Sequence, residues 1–320
     1  MPAVLKLVLI SFLACLAVHV WPSAIFVWAL LWGISLLLAG YYLGLGQLLG
    51  LFGGNILLLL LLGDSAITLS LLVSYGIPVM LAAVLLNRGK SYYTLLLWAM
   101  LATVVSVSLF LGISYVYQGP EGINNVRTGI YATTQSSLEW SAQSGVMKFY
   151  EQRGISRTEM KQAYDSLAHF MFIFLPAFFY LQAMLAIYLI LYLSSLLARK
   201  KQLPILARKP YREEIMPWQL SWAFIAGLAC WLLGRDQMNW LYYSGANILA
   251  VLAPISVIYG FAQLGYWLKR WPSKNKKWLV TLVVLLSLFF TVSTIIFIGL
   301  MGLFDSLLDY RKLRSKKEGI

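Results

Sequence analysis

The stretch that decides the fold covers residues 40–62 and reads GYYLGLGQLLGLFGGNILLLLLL. Gly44, Gly46 and Gly50 form a G-x-G-x-x-x-G pattern, which differs by one residue in its spacing from the glycine fingerprint of dinucleotide-binding folds. That fingerprint requires a preceding strand, a following helix and an acidic residue about twenty positions further on. Here long apolar runs flank the glycines, and Asp64 stands between two such runs. The stretch therefore favours a membrane helix over a phosphate-binding turn.

The same glycines have the spacing of a helix-packing surface. Gly40 and Gly44 are four residues apart, and so are Gly46, Gly50 and Gly54. On a helix each series lies on one face, where small residues let a neighbouring backbone approach closely within a membrane. We predict that these five glycines pack the third helix against its neighbours, so that Gly50→Leu impairs folding or assembly.

The composition of the whole chain indicates a membrane environment. Of its 320 residues 60% are hydrophobic and only 12% are charged, and the mean hydropathy is +0.76. Soluble domains carry about 25% charged residues. Apolar segments of about 20 residues, the length that crosses a bilayer as a helix, recur along the chain. The sequence therefore predicts an all-α fold, a polytopic transmembrane helical bundle.

Nine candidate spans follow from these apolar segments. They cover residues 3–20, 23–39, 41–62, 65–86, 92–117, 167–198, 218–233, 243–268 and 278–304. The short segment 218–233 can also be re-entrant, so we expect eight or nine helices. The predicted organisation is a set of N-terminal membrane helices (1–117), an extracytoplasmic helical connection (118–165) and C-terminal membrane helices with basic loops and a basic tail (166–320).

The connection 118–165 differs in kind from the rest of the chain. It contains five basic and five acidic residues and no long apolar run. Its residues Ser156-Arg157-Thr158-Glu159 form a capping box, in which Ser and Glu side chains bind the free backbone N–H groups of a helix start. We predict a helix that begins there and continues into the sixth span.

Basic loops set the expected orientation, because Lys and Arg accumulate on the cytoplasmic side of a membrane. Loops 88–90, 199–217 and 269–277 carry two, six and five basic residues, and an N-terminus inside the cell puts all three inside. Nine crossings, however, would leave the equally basic tail outside, so the side of the tail stays open. The net charge of +13 comes mainly from these loops next to the membrane, so we expect it to contact the headgroups of the lipid bilayer rather than nucleic acid.

Ionisable residues near the outer ends of the spans are candidates for a ligand site. Asp64, His169, Arg235 and Asp236 all fall on the predicted outer side. They either lie singly at the membrane interface or ring the mouth of an outward-facing cavity.

Three side-chain amides lie inside spans, where each should find a partner across a helix interface. They are Gln182, Asn247 and Gln263. Asn247 and Gln263 are sixteen residues apart and point in similar directions from one helix, so they either pair structurally or bind a polar ligand together.

Sequence signatures of catalysis are absent. The chain contains no H-E-x-x-H, no G-x-S-x-G and no Walker A lysine motif, and only two His and two Cys. We therefore expect no enzymatic activity, no cofactor and no metal, and an intramembrane enzyme is only a third hypothesis.

The end of the chain resembles a known family. Residues 299–312, GLMGLFDSLLDYRK, are similar to the closing signature of the bacterial YybS-like predicted membrane proteins, a domain of unknown function. The resemblance extends over most of the chain, and its closing motif includes Gly302, Asp305, Asp309, Arg311 and Lys312. Asp305 and Asp309 share a helix face, so they either pair with nearby basic residues and fix the last helix or dock a partner protein.

The resemblance implies two functional hypotheses. The family's membrane core is distantly similar to the substrate-binding subunits of energy-coupling-factor vitamin transporters and to the rod-shape protein MreD, a fold-level analogy only. The first hypothesis is a small-molecule binding or transport subunit that lacks its own ATPase. The alternative is a scaffold in cell-envelope growth, division or sporulation that binds partner membrane proteins. A polar or aromatic pocket between helices would favour the first, and a solidly packed interior the second.

Overall fold

The computed structural model describes residues 3–63, 65–200, 206–235, 238–271 and 273–313. The chain divides into two compact units, Met1–Arg208 and Lys209–Ile320. The secondary structure of the described residues consists of helices and turns without strands. The predicted all-α fold is therefore confirmed.

The first unit contains helices α1 to α9. Their bounds are α1 (Ala3–Val20), α2 (Ile25–Tyr42), α3 (Leu45–Leu62), α4 (Ser65–Leu71), α5 (Ile77–Asn87), α6 (Tyr92–Gln143), α7 (Val146–Glu151), α8 (Arg157–Ile173) and α9 (Leu175–Lys200). Helix α2 lies at the centre, because it packs against α1, α5 and α9 and buries Ala29, Trp32 and Leu36. Asn87, at the end of α5, donates hydrogen bonds to the carbonyl oxygens of Gly40 (3.1 Å) and Leu43 (2.6 Å) and so caps the end of α2.

A π-helical turn, Leu72–Gly76, joins α4 to α5. Such turns widen the helix by one residue and leave some backbone carbonyls without their usual partner. The turn packs against α6 and α9, and it therefore sits where three elements of the first unit meet.

Helix α6 continues well beyond the length of a membrane span. Its axis is broken at Gly119, whose φ of +57° is left-handed, and at the following Pro120. The part after this break packs against α8, and the hydroxyl groups of Ser141 and Tyr164 lie 3.0 Å apart between the two helices. The part of α6 after the break, α7 and α8 form a helical hairpin, and this hairpin contains nearly all of the residues of the predicted connection 118–165.

The predicted capping box at the start of α8 is confirmed. The backbone N–H of Glu159 donates to Ser156 Oγ (3.2 Å), and the backbone N–H of Ser156 donates to Glu159 Oε2 (2.7 Å). The hydrogen bonds from the Ser156 backbone and side chain lower the pKa of Glu159, so this cap is complete above the ordinary glutamate pKa and weakens as acid protonates the carboxylate. Helix α9 follows α8 after Phe174, and Pro176 lies in its first turn, where proline needs no backbone N–H.

The second unit contains α10 (Trp218–Leu233), α11 (Asn239–Arg270), α12 (Ser273–Phe289) and α13 (Thr291–Leu308). Helices α11 and α13 pack closely and run parallel. Gly260 lies beside Ile298 and Gly302, and further towards the C-terminal ends of the two helices Tyr266 lies beside Arg311, which follows α13. Helix α10 packs along α11, where a Cβ added to Gly227 would meet Ile248 at 2.6 Å.

The prediction of one span over residues 278–304 is wrong. The chain breaks at Phe290 (φ −125°, ψ 49°), which separates α12 from α13. Helix α12 returns the chain along the unit, so α13 ends at the same end as α11. The sequence around Phe290 contains neither Gly nor Pro, the residues that most strongly mark a helix break.

Seven described helices are long and apolar enough to cross a membrane. They are Pro22–Tyr42, Leu45–Leu62, Ile67–Asn87, Tyr92–Gln143, Leu175–Lys200, Asn239–Arg270 and Thr291–Leu308. Three shorter apolar helices among the described residues are Val4–Val20, Trp218–Leu233 and Val280–Phe289. The chain is therefore an all-α membrane bundle.

The arrangement of α10 to α13 predicts which side of the membrane each connection faces. In a cysteine-free background, Lys209→Cys and Lys312→Cys should react with an impermeant maleimide from the same side of sealed vesicles. Met238→Cys, between α10 and α11, should react from the opposite side. Labelling of Met238→Cys from the same side as the other two would instead make α10 re-entrant.

Candidate functional site

Arg311 is a buried charged residue of the second unit, and all three nitrogens of its guanidinium donate hydrogen bonds. Its Nε donates to Asp305 Oδ2 at 2.8 Å, and its Nη2 lies 2.7 Å from the same oxygen. Its Nη1 donates to the carbonyl of Arg212 and its Nη2 to the carbonyl of Glu214, both at 2.6 Å. The side chains of Arg311 and Asp305 are only 1% and 2% exposed. The guanidinium thus joins the end of α13 to the segment before α10.

The turn after α13 brings Arg311 back towards Asp305. Asp309 ends the helix in a left-handed conformation (φ +45°), with its N–H bonded to the carbonyl of Asp305 at 3.0 Å. Its Oδ1 accepts the N–H of Leu313 at 3.0 Å, and Lys312 is also left-handed (φ +50°). Asp305 and Asp309 therefore have different tasks, one as the partner of Arg311 and the other as the cap of the helix end.

A polar layer surrounds this ion pair inside the second unit. The Tyr266 hydroxyl donates to the carbonyl of Arg311 at 3.4 Å, and its ring centroid lies 5.6 Å from the Arg311 guanidinium. The hydroxyl groups of Ser221 in α10 and Ser306 in α13 are in contact. Asp305 Oδ1 and Gln263 Oε1 are buried acceptors with no hydrogen-bond partner in the described part of the chain. The layer connects three helices through groups that the lipid would not solvate.

A second polar cluster lies in the first unit, around the π-helical turn, and we call it the π-turn cluster. Gln182 Nε2 in α9 donates to the Tyr75 hydroxyl at 2.9 Å, and Ser106 Oγ in α6 donates to the carbonyl of Val73 at 2.8 Å. The hydroxyl groups of Ser108 in α6 and Tyr180 in α9 lie 2.6 Å apart.

Sequence reasoning found Gln182 but missed the rest of the π-turn cluster. Single Ser and Tyr residues in apolar spans are common, and the π-helical turn leaves no mark in the sequence. Only the packing of α6 and α9 against this turn brings the polar groups together.

The sequence-predicted ligand residues do not form one observed site. Asp64 and Asp236 lie outside the described residues, and His169 and Arg235 are exposed, the first in α8 and the second after α10. These two belong to different units.

The two amides of α11 have different environments. Gln263 is buried, on the side of α11 that also carries Gly260 and Tyr266 and packs against α13. Asn247 is half-buried, and its Nδ2 donates to the carbonyl of Tyr243 in its own helix at 2.9 Å.

The predicted glycine surface needs correction. Helix α2 ends at Tyr42 and α3 begins at Leu45, so Gly40 and Gly44 are not on one helix. A Cβ on Gly40 would lie 2.6 Å from the carbonyl oxygen of Ala83, but one on Gly44, Gly46 or Gly50 would meet nothing within 4 Å.

Gly54 lies against Phe12, at 3.3 Å from an added Cβ. The spacing thus identified glycines on one face of α3. In the described part of the chain, Gly54 has a neighbour on this face, whereas Gly46 and Gly50 have none within 4 Å.

Among the described glycines, those that approach another helix most closely are Gly260 and Gly302, between α11 and α13. A Cβ on Gly302 would lie 2.6 Å from the backbone nitrogen of Gly260, and one on Gly260 would overlap the carbonyl of Ile298. These neighbours are backbone atoms, which cannot rotate away as a side chain can. Any larger residue must therefore separate the two helices.

Gly260→Leu should accordingly destabilise the protein by about 3 kcal/mol, the upper end of the usual cost of overpacking, because it separates two backbones in contact. Gly50→Leu, the matched control on α3, should change the stability by no more than about 0.5 kcal/mol. The measurement is the thermal stability and yield of each variant purified in mild detergent. An equal loss in Gly50→Leu would show that the exposed face of α3 has a neighbour from outside the chain.

Arg311→Met should cost about 3–5 kcal/mol, because it leaves the buried Asp305 carboxylate without its counter-ion. The double variant Asp305→Leu/Arg311→Met should recover a large part of that loss, since it removes both charges. Thermal unfolding of the purified proteins measures both effects, with Lys312→Met as an exposed control. A double variant no more stable than Arg311→Met would contradict the ion-pair account.

Neither the curated proteins nor the solved structures gave a match to this chain. A family model described as "Predicted membrane protein (DUF2232)" matches residues 8–306, a range that includes Gly302 and Asp305 and ends before Asp309 and Arg311. Since this range covers nearly the whole chain, the protein belongs to the DUF2232 family of predicted membrane proteins.

Proposed function

We propose that the protein binds a small, uncharged, hydrogen-bonding solute within the membrane and acts as a binding or transport subunit. The observation that carries this proposal is the π-turn cluster of the first unit. It places the side chains of Tyr75, Ser106, Ser108, Tyr180 and Gln182 on three packed elements of one membrane bundle.

The chemistry of the cluster defines the class of solute. All five side chains are uncharged and carry both donor and acceptor capacity, and the amide of Gln182 alone offers two N–H groups and a carbonyl. A charged solute would lack a counter-ion here, whereas a solute with hydroxyl, amide or ring-nitrogen groups would find partners.

The cluster is also accessible from outside the helix bundle. Gln182 and Ser108 are exposed, whereas Tyr75, the hydrogen-bond partner of Gln182, is 4% exposed. A solute that reached Gln182 could exchange hydrogen bonds with the amide while the buried Tyr75 holds it in place. π-helical turns occur frequently at functional sites, which adds independent support.

The chain contains no Walker A motif, so transport would take its energy from partner membrane proteins or an ion gradient. The setting we propose is the bacterial cytoplasmic membrane with the N-terminus inside, as the basic loops indicate.

A scaffold that binds partner proteins is the second candidate. It is favoured by the hairpin of α6 to α8, whose Trp140 and Phe149 side chains are 65% and 49% exposed.

The test is native mass spectrometry of the protein purified from its own membranes in mild detergent. The wild type should retain a stoichiometric small molecule, and Gln182→Leu should retain about tenfold less, as expected when hydrogen bonds of about 1 kcal/mol are lost. Gln162→Leu, an exposed amide of α8, is the matched control and should retain the wild-type amount. Recovery of partner proteins without any small molecule would contradict solute binding and favour the scaffold.

A further inference from the structure

We propose that the C-terminal end of α11 binds the headgroup of an anionic membrane lipid through the guanidinium groups of Arg270 and Arg212. This site lies in the second unit and is independent of the solute site proposed for the first. The proposal rests on the fixed position of Arg270, on the excess of positive charge around this residue and on the tryptophans near it.

The position of Arg270 is fixed by the ring of Tyr266. The Arg270 guanidinium lies 4.5 Å from the ring centroid, a cation–π contact. The ring itself is 8% exposed, and its hydroxyl donates to the carbonyl of Arg311. Because Arg311 is anchored by Asp305 and two backbone carbonyls, Arg270 rests on a rigid base.

The charges at this end of the unit are unbalanced. Among the residues here whose side chains the structure describes, seven are basic (Lys209, Arg212, Lys269, Arg270, Lys277, Arg311 and Lys312) and four are acidic (Glu213, Glu214, Asp305 and Asp309). The Arg311 charge is neutralised by Asp305, but no carboxylate in the described part of the chain forms an ion pair with Arg270. The ion pair that Arg212 forms with a described carboxylate is a 3.9 Å contact with Glu213, and both side chains are about 40% exposed, so water weakens that pair.

Arg212 lies beside the same helix. The Cβ of Arg212 is 3.8 Å from the position of a Cβ on Gly265, and Gly265 precedes Arg270 by about 7.5 Å along the helix axis. The 211–213 turn is held there by the Tyr211 hydroxyl, which donates to the carbonyl of Ile258. Gly265 and Arg270 lie about 140° apart around the helix, and the two arginines are linked through Arg311. The Arg311 Nη1 donates to the carbonyl of Arg212, and the Arg311 guanidinium lies 5.6 Å from the centroid of the Tyr266 ring on which Arg270 rests. Both guanidinium groups therefore start near the C-terminal end of α11.

Two tryptophans next to Arg270 set the depth of the site. Trp271 follows Arg270 directly and Trp267 precedes it by three residues, and the two are 44% and 40% exposed. Tryptophan is enriched at the level of lipid headgroups, where its ring meets the acyl chains and its N–H meets water. A guanidinium at this level can bind a phosphate group through two parallel hydrogen bonds. A lipid satisfies both features at once, because its phosphate reaches Arg270 while its acyl chains cover the tryptophans.

The test compares the thermal stability of the purified protein in nanodiscs of phosphatidylglycerol and of phosphatidylcholine. The wild type should be more stable in phosphatidylglycerol, and Arg270→Gln should lose roughly half or more of that difference. Arg153→Gln is the matched control, because Arg153 also stacks on an aromatic ring, that of Phe149 at 4.2 Å, but lies in the hairpin of the first unit. The control should keep the full difference, and so should Gln182→Leu. Soluble inorganic phosphate should not replace the lipid.

Equal stability of the wild type in the two lipids would overturn the proposal, and so would an Arg270→Gln variant that keeps the full difference. If Arg270→Gln fails to accumulate, the wild type is instead extracted from an equimolar mixture of the two lipids. Native mass spectrometry should then find phosphatidylglycerol enriched about fivefold for each basic group engaged. No enrichment would equally overturn the proposal, whatever happens to the solute retained by the first unit.

Discussion

The burial of the Arg311 guanidinium is the constraint on which the second unit depends. A guanidinium cannot give up its proton, so in apolar surroundings its charge and its N–H groups must all be matched. Asp305 supplies the charge, and the carbonyls of Arg212 and Glu214 supply further acceptors. These partners come from α13 and from the segment before α10. The pair therefore holds the end of α13 beside the start of α10. Since α10 and α11 are consecutive helices that pack along each other, the start of α10 lies at the end of α11, and α13 runs parallel to α11.

The two polar clusters both place polar groups in membrane helices, where lipid cannot hydrogen-bond to them, but they differ in charge and in exposure. Around Arg311 the charges cancel inside the protein, and the side chains are 1–2% exposed, which suits a structural anchor. Around the π-helical turn the groups are uncharged and two of them, Ser108 and Gln182, are exposed. A purely structural cluster has no need of exposed hydrogen-bonding groups in an apolar segment. This contrast is the reason for proposing the solute site in the first unit and an anchor in the second.

The glycines show which part of helix packing a sequence pattern can predict. Spacing tells which glycines share a face, but it does not tell whether another helix lies against that face. Gly46 and Gly50 share a face of α3 and meet open space, whereas Gly260 and Gly302, on separate helices, touch backbone to backbone. The second contact has no local sequence pattern, because its two halves are 42 residues apart.

The sequence by itself determined the membrane environment, the all-α class and the start of α8, because these depend on composition and on contacts within one turn of chain. It also identified Gln182, Asp305 and Arg311 as side chains that need partners. The tertiary structure decided which groups those partners are. It also decided that the chain turns at Phe290 and that the tail begins beside the basic end of α11. The physical reason is that a buried polar group only requires some partner of the right chemistry, and the packing of distant helices selects which one it meets.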